Sequence, residues 1–307
     1  MIRPAALFLF AAMMVPAHAQ APAAPEPDLA YGAYQRGMFL TAFAEATKRA
    51  TTDSKAMALL GELYSNGLGV ARDDAAAVKW FQLAAQRGDR EAMFALAMFR
   101  FQGRGVPRDP TVGAKLLADA ANLGHPAAAY DLGLLYLQGT QFPQDFKRAA
   151  ELFEVGARGG NPESQYALAT LYKEGRGVKK DEQEAMRLMR LAAIAENSDA
   201  MVEYGIAQFN GATGVPKDET GAAKLLLKAA RNGSAIAQNR VARMYSAGRG
   251  MPLDPAEAIK WHLIAKANGN GDADLDVYAS KQKADDRANG EKSAQRWLSS
   301  AKLSLIQ

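Results

Sequence analysis

The stretch SKAMALLGELYSNGLGVARDDAAAVKWFQLAAQRG, residues 54–88, decides the fold. Ala56, Leu60, Leu63 and Tyr64 recur at helical spacing and draw an apolar stripe along a first helix. Gly61 stands one turn before Tyr64 and removes a side chain where a second helix must press close. Gly67 ends that helix, and Gly69 supplies the positive φ that the turn needs. Asp73 then caps a second helix: its carboxylate accepts orphan N–H groups and meets the positive end of the dipole. Ala77, Trp80, Ala84 and Ala85 form the second stripe, with the large Trp80 side chain filling the space between units, and Gly88 closes the hairpin.

The same grid repeats along the chain. The capping aspartate returns at Asp109, Asp145, Asp181, Asp218 and Asp254, in steps of 36, 36, 36, 37 and 36 from Asp73. The Trp80 position becomes Leu116, Leu152, Leu188, Leu225 and Trp261, and most units keep a glycine pair such as Gly103/Gly105, Gly175/Gly177 and Gly248/Gly250. The third unit has Gln141 where the second glycine belongs, and the fifth carries one extra residue in Gly211-Ala212-Thr213-Gly214-Val215. Arg100 and Gln208 replace the tyrosine of the other units and put polar groups where their neighbours present a ring. A fixed period of this length marks a stacked array in which each unit buries its apolar face only against its neighbours.

The pattern A-x-x-x-L-G-x-L-Y-x-x-G-x-G-V-x-x-D-x-x-x-A-x-x-W-x-x-x-A-A-x-x-G resembles the Sel1-like repeat, a relative of the tetratricopeptide repeat. The resemblance covers six units, residues 54–269, and implies an all-α, right-handed α-solenoid with capping helices at both ends. Residues 29–53 are expected to form an N-terminal tetratricopeptide-like half-repeat through Phe39, Phe43 and Ala46. Residues 270–307 leave the pattern, and the apolar positions Trp297, Leu298 and Leu303 predict a helical cap over the last unit.

Before the array, Arg3, the apolar run Ala5 to Val15 and Ala17-His18-Ala19 read as an export signal, residues 1–19, cleaved after Ala19. Its apolar run is shorter than the ~20 residues a membrane span requires. Residues 20–28, with Pro22, Pro25 and Pro27, read as an extended lead-in. The sequence holds no cysteine, so it has neither disulfides nor a lipidation cysteine. A periplasmic or secreted protein without a membrane anchor is expected. The formal charge of +4 is too small and too mixed for a nucleic-acid footprint, although basic residues outnumber acidic ones from Lys217 onward.

No catalytic constellation, cofactor motif or metal cluster is expected. Of the histidines beyond the leader, His125 lies in a connection and His262 follows Trp261; both read as surface residues. The glycine turns follow no strand, so they are not phosphate cradles, and the six aspartates are occupied as caps. Cysteine-rich Sel1-like proteins have been linked to β-lactam binding or hydrolysis. An enzyme acting on cell-wall or β-lactam substrates is therefore the rival to a binding protein, but the cross-linked framework of those relatives is missing here.

In tetratricopeptide-like arrays the first helix of each hairpin lines the concave face. Its positions outside the repeated stripe form a candidate groove for a protein or peptide of the cell envelope. Apolar Met98, Leu134 and Ile206 run along its middle, Glu203 lies beside them, and Arg240 and Arg243 stand at one end, where packing explains them least. Exported Sel1-like proteins include relatives similar to a rhizobial regulator that restrains a membrane sensor kinase of exopolysaccharide synthesis. The resemblance thus implies a scaffold or adaptor, with envelope signalling as its most fitting role.

Overall fold

The computed structural model describes residues 28–304, with side chains through Ser300; the expected leader and most of the lead-in lie outside the described residues. Within them the chain is an all-α solenoid. It opens with α1 (Leu29–Gln35) and α2 (Phe39–Arg49). Six hairpins of 13-residue helices follow: α3 (Ser54–Asn66) with α4 (Asp74–Gln86), α5 (Arg90–Gln102) with α6 (Pro110–Asn122), and α7 (Pro126–Gln138) with α8 (Phe146–Arg158). The series continues as α9 (Pro162–Glu174) with α10 (Glu182–Ile194), α11 (Ser198–Asn210) with α12 (Glu219–Arg231), and α13 (Ala235–Ala247) with α14 (Pro255–Ala267). The short α15 (Ala273–Ser280) and the long α16 (Ala284–Ser304) end the described chain.

Every periodic aspartate does the work its position predicts. Asp73, Asp109, Asp145, Asp181, Asp218 and Asp254 each accept a backbone N–H three residues on. Each such cap stabilises its helix by about 1 kcal/mol. Gly61 is where the ring of Phe81 lies: a Cβ there would stand 2.6 Å from it. The stripes meet as a continuous core. Ala77, Ala84, Leu117, Phe153, Met189 and Leu226 are buried almost completely along the second helices.

The second glycine of most loops has a purpose that the single hairpin hides. Gly105, at φ +60°, rests on the first turn of the preceding second helix, where a Cβ would fall 2.3 Å from the Asp74 carbonyl oxygen. Gly177 and Gly250 make the same approach to Phe146 and Glu219. The arginine between the paired glycines reaches back to the same residue. Arg104 binds the Asp74 carboxylate at 2.7 Å, Arg176 lies over the Phe146 ring, and Arg249 pairs with Glu219. Hydrogen bonds from Arg104 and Arg72 hold the Asp74 carboxyl below its ordinary value. In the third unit Gln141 stands in for the glycine and donates from its amide to Thr111 Oγ at 3.3 Å. The extra residue of the fifth unit is absorbed in a small turn closed by paired hydrogen bonds between Ala212 and Val215.

Two pairs of first helices from adjacent units touch, α3 with α5 and α7 with α9, whereas no pair among α4, α6, α8, α10, α12 and α14 comes as close. At these two places the array is tighter on the first-helix side, as on the inner face of a tetratricopeptide-like array. At the far end the pattern turns. α16 packs along α14 as closely as any hairpin partner, with Gly290 against Ala256 and Ile259 and the Trp297 ring edge-on to Trp261 at 5.3 Å. α15 leaves the hairpin pattern and packs against both α14 and α13.

Both histidines differ from expectation. His125 is 4% exposed and caps α7, its Nδ1 accepting from the Ala128 N–H at 3.0 Å while Nε2 meets Glu91 at 2.9 Å. It stands in the capping register of Asp89, Asn161, Asn197 and Ser234. His262 is 1% exposed, with Nε2 2.8 Å from Asp276, because α15 folds back over α14 and covers it.

Candidate partner-binding face

The inner face is built by residues three and six places after each unit's leading small residue. On α5, α7 and α11, Met98, Leu134 and Ile206 are half-buried: their stems pack on the core and part of each side chain stays open. The structure thus sets the three on one face of the array. Glu203 is on it too, but it is already engaged. It accepts from the Tyr166 hydroxyl at 2.8 Å and pairs with Lys173 at 2.8 Å, joining α9 to α11. Burial, with the hydrogen bond to Glu203, pushes the Tyr166 hydroxyl well above the usual tyrosine range.

The two arginines separate. Arg243 is bound within the chain: its guanidinium meets Asp272 at 2.7 Å and Asp274 at 3.3 Å, so it clamps α15 to α13. Asn239 adds a 2.9 Å bond to the same Asp272 carboxylate, whose carboxyl is held below its ordinary value by these donors against the opposing effect of burial. Packing therefore explains Arg243, contrary to the expectation drawn from the sequence. Arg240 is exposed and has no ion pair among the described residues.

Where α15 crosses the inner face it encloses a cavity of about 520 Å³ with α11 and α13. Ile206 and Phe209 form its apolar wall, Tyr278 closes it from α15, and Arg240 and Arg249 border it. A shallower concavity of about 510 Å³ opens on the other side of Arg240, beside Ile236 and Asn270. Phe209 and Tyr278 had no part in the groove read from the sequence. Phe209 lies outside the chosen register, and Tyr278 arrives through a cap that follows no repeat. Among the described residues no group of acidic or histidine side chains is arranged to hold a metal ion, and no helix is long and apolar enough to cross a membrane.

The repeat itself settles the kinship. The Sel1 repeat model matches six times, at residues 54–89, 90–125, 126–161, 162–197, 198–234 and 235–270. The chain belongs to the Sel1 repeat family. Sel1 repeat proteins are generally scaffolds for protein–protein interaction and typically non-catalytic. This member is similar to a Sel1 repeat protein from Oxalobacter formigenes, with 28% identity, a TM-score of 0.68, and coverage of 78% of this chain and 98% of that one. It is also similar to a protective antigen of uropathogenic Escherichia coli strains that displays the same repeat fold, at 26% identity and a TM-score of 0.56. That match covers 85% of this chain but spans only 64% of the antigen. No curated protein sequence matches this Sel1 repeat protein.

Proposed function

We propose that the protein is an adaptor of the cell envelope whose partner lies along the first-helix face and ends against Arg240. The observation that carries this reading is the half-open apolar strip of Met98, Leu134 and Ile206, which runs into the cavity beside Arg240. An open apolar strip flanked by polar groups is the surface a peptide or helix of another protein covers. The leader-like residues 1–19 favour export to the periplasm or beyond. Among envelope roles the family resemblance favours a regulator of envelope signalling, control of exopolysaccharide synthesis included. The reading is of a binding protein and not an enzyme: the periodic aspartates are spent on helix capping and the loop glycines on unit-to-unit contact.

Site-specific photo-crosslinking in the native host tests the face. A benzophenone side chain at Met98 or Ile206 should give the same partner adduct, and one at Leu83, exposed on α4, should give none. Adducts from Leu83 alone would place the partner elsewhere and sink the proposal. Export is tested by the N-terminus of the protein recovered from the periplasmic fraction, expected at Gln20; an intact Met1 in the cytoplasmic fraction refutes it.

A further inference from the structure

Asp131, Glu203 and Arg240 occupy one register, three places after the leading small residue of the third, fifth and sixth units. Asp131 and Glu203 are both half-buried carboxylates on the inner face. Glu203 is satisfied by Tyr166 and Lys173 of the unit before it. The corresponding places before Asp131 hold Phe94 and Phe101, which offer neither a hydroxyl nor an ammonium. Asp131 accordingly makes no ion pair or side-chain hydrogen bond among the described residues. The one titratable neighbour that favours its charge is His125, whose two ring nitrogens are already taken by Ala128 and Glu91. A half-desolvated carboxylate without a partner is costly to keep, and folding gains nothing from it.

Arg240 is its counterpart of opposite sign. Of the three arginines around the cavity, Arg243 is answered by Asp272 and Asp274, and Arg249 by Glu219; Arg240 is answered by no carboxylate among the described residues. Between Asp131 and Arg240 the same register positions carry Leu134, Ala167, Thr170, Glu203 and Ile206, with Glu203 already paired to Lys173. The face thus carries one unanswered negative charge and one unanswered positive charge, with apolar Leu134, Ala167 and Ile206, the Thr170 hydroxyl and the paired Glu203 between them.

We infer that this face selects an extended segment of a partner protein that sets a lysine or arginine against Asp131 and a glutamate or aspartate against Arg240. Three unit-to-unit steps separate the two. Packed helices stand about 8–10 Å apart, so the span is about 27 Å. An extended chain advances about 3.3–3.6 Å per residue, which puts the two charged side chains about eight residues apart. A basic group docked on Asp131 is paired in a partly desolvated setting, where the attraction exceeds that of a surface pair. The inference rests on the inner face being the docking face and adds the chemistry of what docks there.

The test is selection of a displayed library of random twelve-residue peptides on the purified wild-type protein, on Asp131→Asn and on Arg240→Glu. Wild type should enrich peptides with a basic and an acidic residue about eight positions apart. Asp131→Asn should lose the basic preference only, and Arg240→Glu the acidic preference only. A peptide selected on wild type should bind each variant about tenfold more weakly or worse, about 1.4 kcal/mol per tenfold. Exchanging its acidic residue for lysine should restore binding to Arg240→Glu. Asp131→Asn removes an unanswered charge from the fold, and circular dichroism with a Tm no lower than wild type separates weaker binding by it from unfolding. Enrichment without any spaced charge pair, or a basic preference that survives in Asp131→Asn, overturns the inference while leaving peptide binding in place. A folded protein that enriches no peptide overturns both the inference and the docking face beneath it.

Discussion

Replacing Gly105 by alanine, beside Gly88→Ala as its control, measures how firmly the loop glycines tie one unit to the next. Both glycines have positive φ, +60° and +82°, so alanine meets the left-handed backbone cost of about 1–2 kcal/mol at either site. The gain from a stiffer unfolded chain is common to both and cancels in the comparison. Their surroundings differ. Nothing lies within 4 Å of a Cβ at Gly88, whereas one at Gly105 would sit 2.3 Å from the Asp74 carbonyl oxygen and 2.4 Å from its carbon. Ordinary contact begins near 3.4 Å, and the obstructing atoms are backbone that cannot rotate away. Forcing such an overlap costs about 1–3 kcal/mol more. Gly105→Ala should therefore destabilise by about 2–5 kcal/mol and Gly88→Ala by about 1–2 kcal/mol. Urea unfolding followed by circular dichroism reads the total. Hydrogen exchange should show the Gly105→Ala loss centred on α4 and α5, since stability in such arrays is coupled between neighbours. Equal losses in the two variants would refute the claim that the second glycine exists for unit-to-unit contact.

Three further outcomes are expected. Arg243→Ala should release α15, raising its amide exchange while α3 to α8 keep theirs, because Asp272 is buried and loses its charged partner; unchanged exchange in α15 would remove the clamp. Asp131→Asn should raise the Tm at neutral pH. Burial holds the Asp131 carboxyl above its ordinary value, so the folded state binds its proton more tightly than the unfolded chain, and wild type regains stability as pH falls toward the carboxylate range. The Asn variant should lack that acid-side gain, and a parallel pair of Tm–pH curves would contradict it. Asp181→Ala should cost about 1 kcal/mol in urea unfolding through loss of the α10 cap, with Asp181→Asn close to wild type.

Part of the candidate face was legible in the sequence. Met98, Leu134 and Ile206 share a face because they share a register, and a register in an array of near-identical units is a spatial statement. Arg243 shows the limit. Its partners Asp272 and Asp274 lie in a cap that follows no repeat, so no spacing in the chain announced the clamp. Comparing registers could have revealed the unanswered Asp131, since Phe94 and Phe101 stand plainly where Tyr166 and Lys173 stand two units later.

By itself the sequence determined the unit. The glycines, the capping aspartates and the small-residue stripes act within about 36 residues, and local forces read them without help from the rest of the chain. The tertiary structure alone decided the ends and the surface. It laid α15 across the inner face, closed the cavity beside Arg240, buried His262 and spent Arg243. Those outcomes depend on where the last hairpin leaves apolar area uncovered and which charges then meet across it. Such meetings are long-range, and a periodic sequence encodes only what recurs.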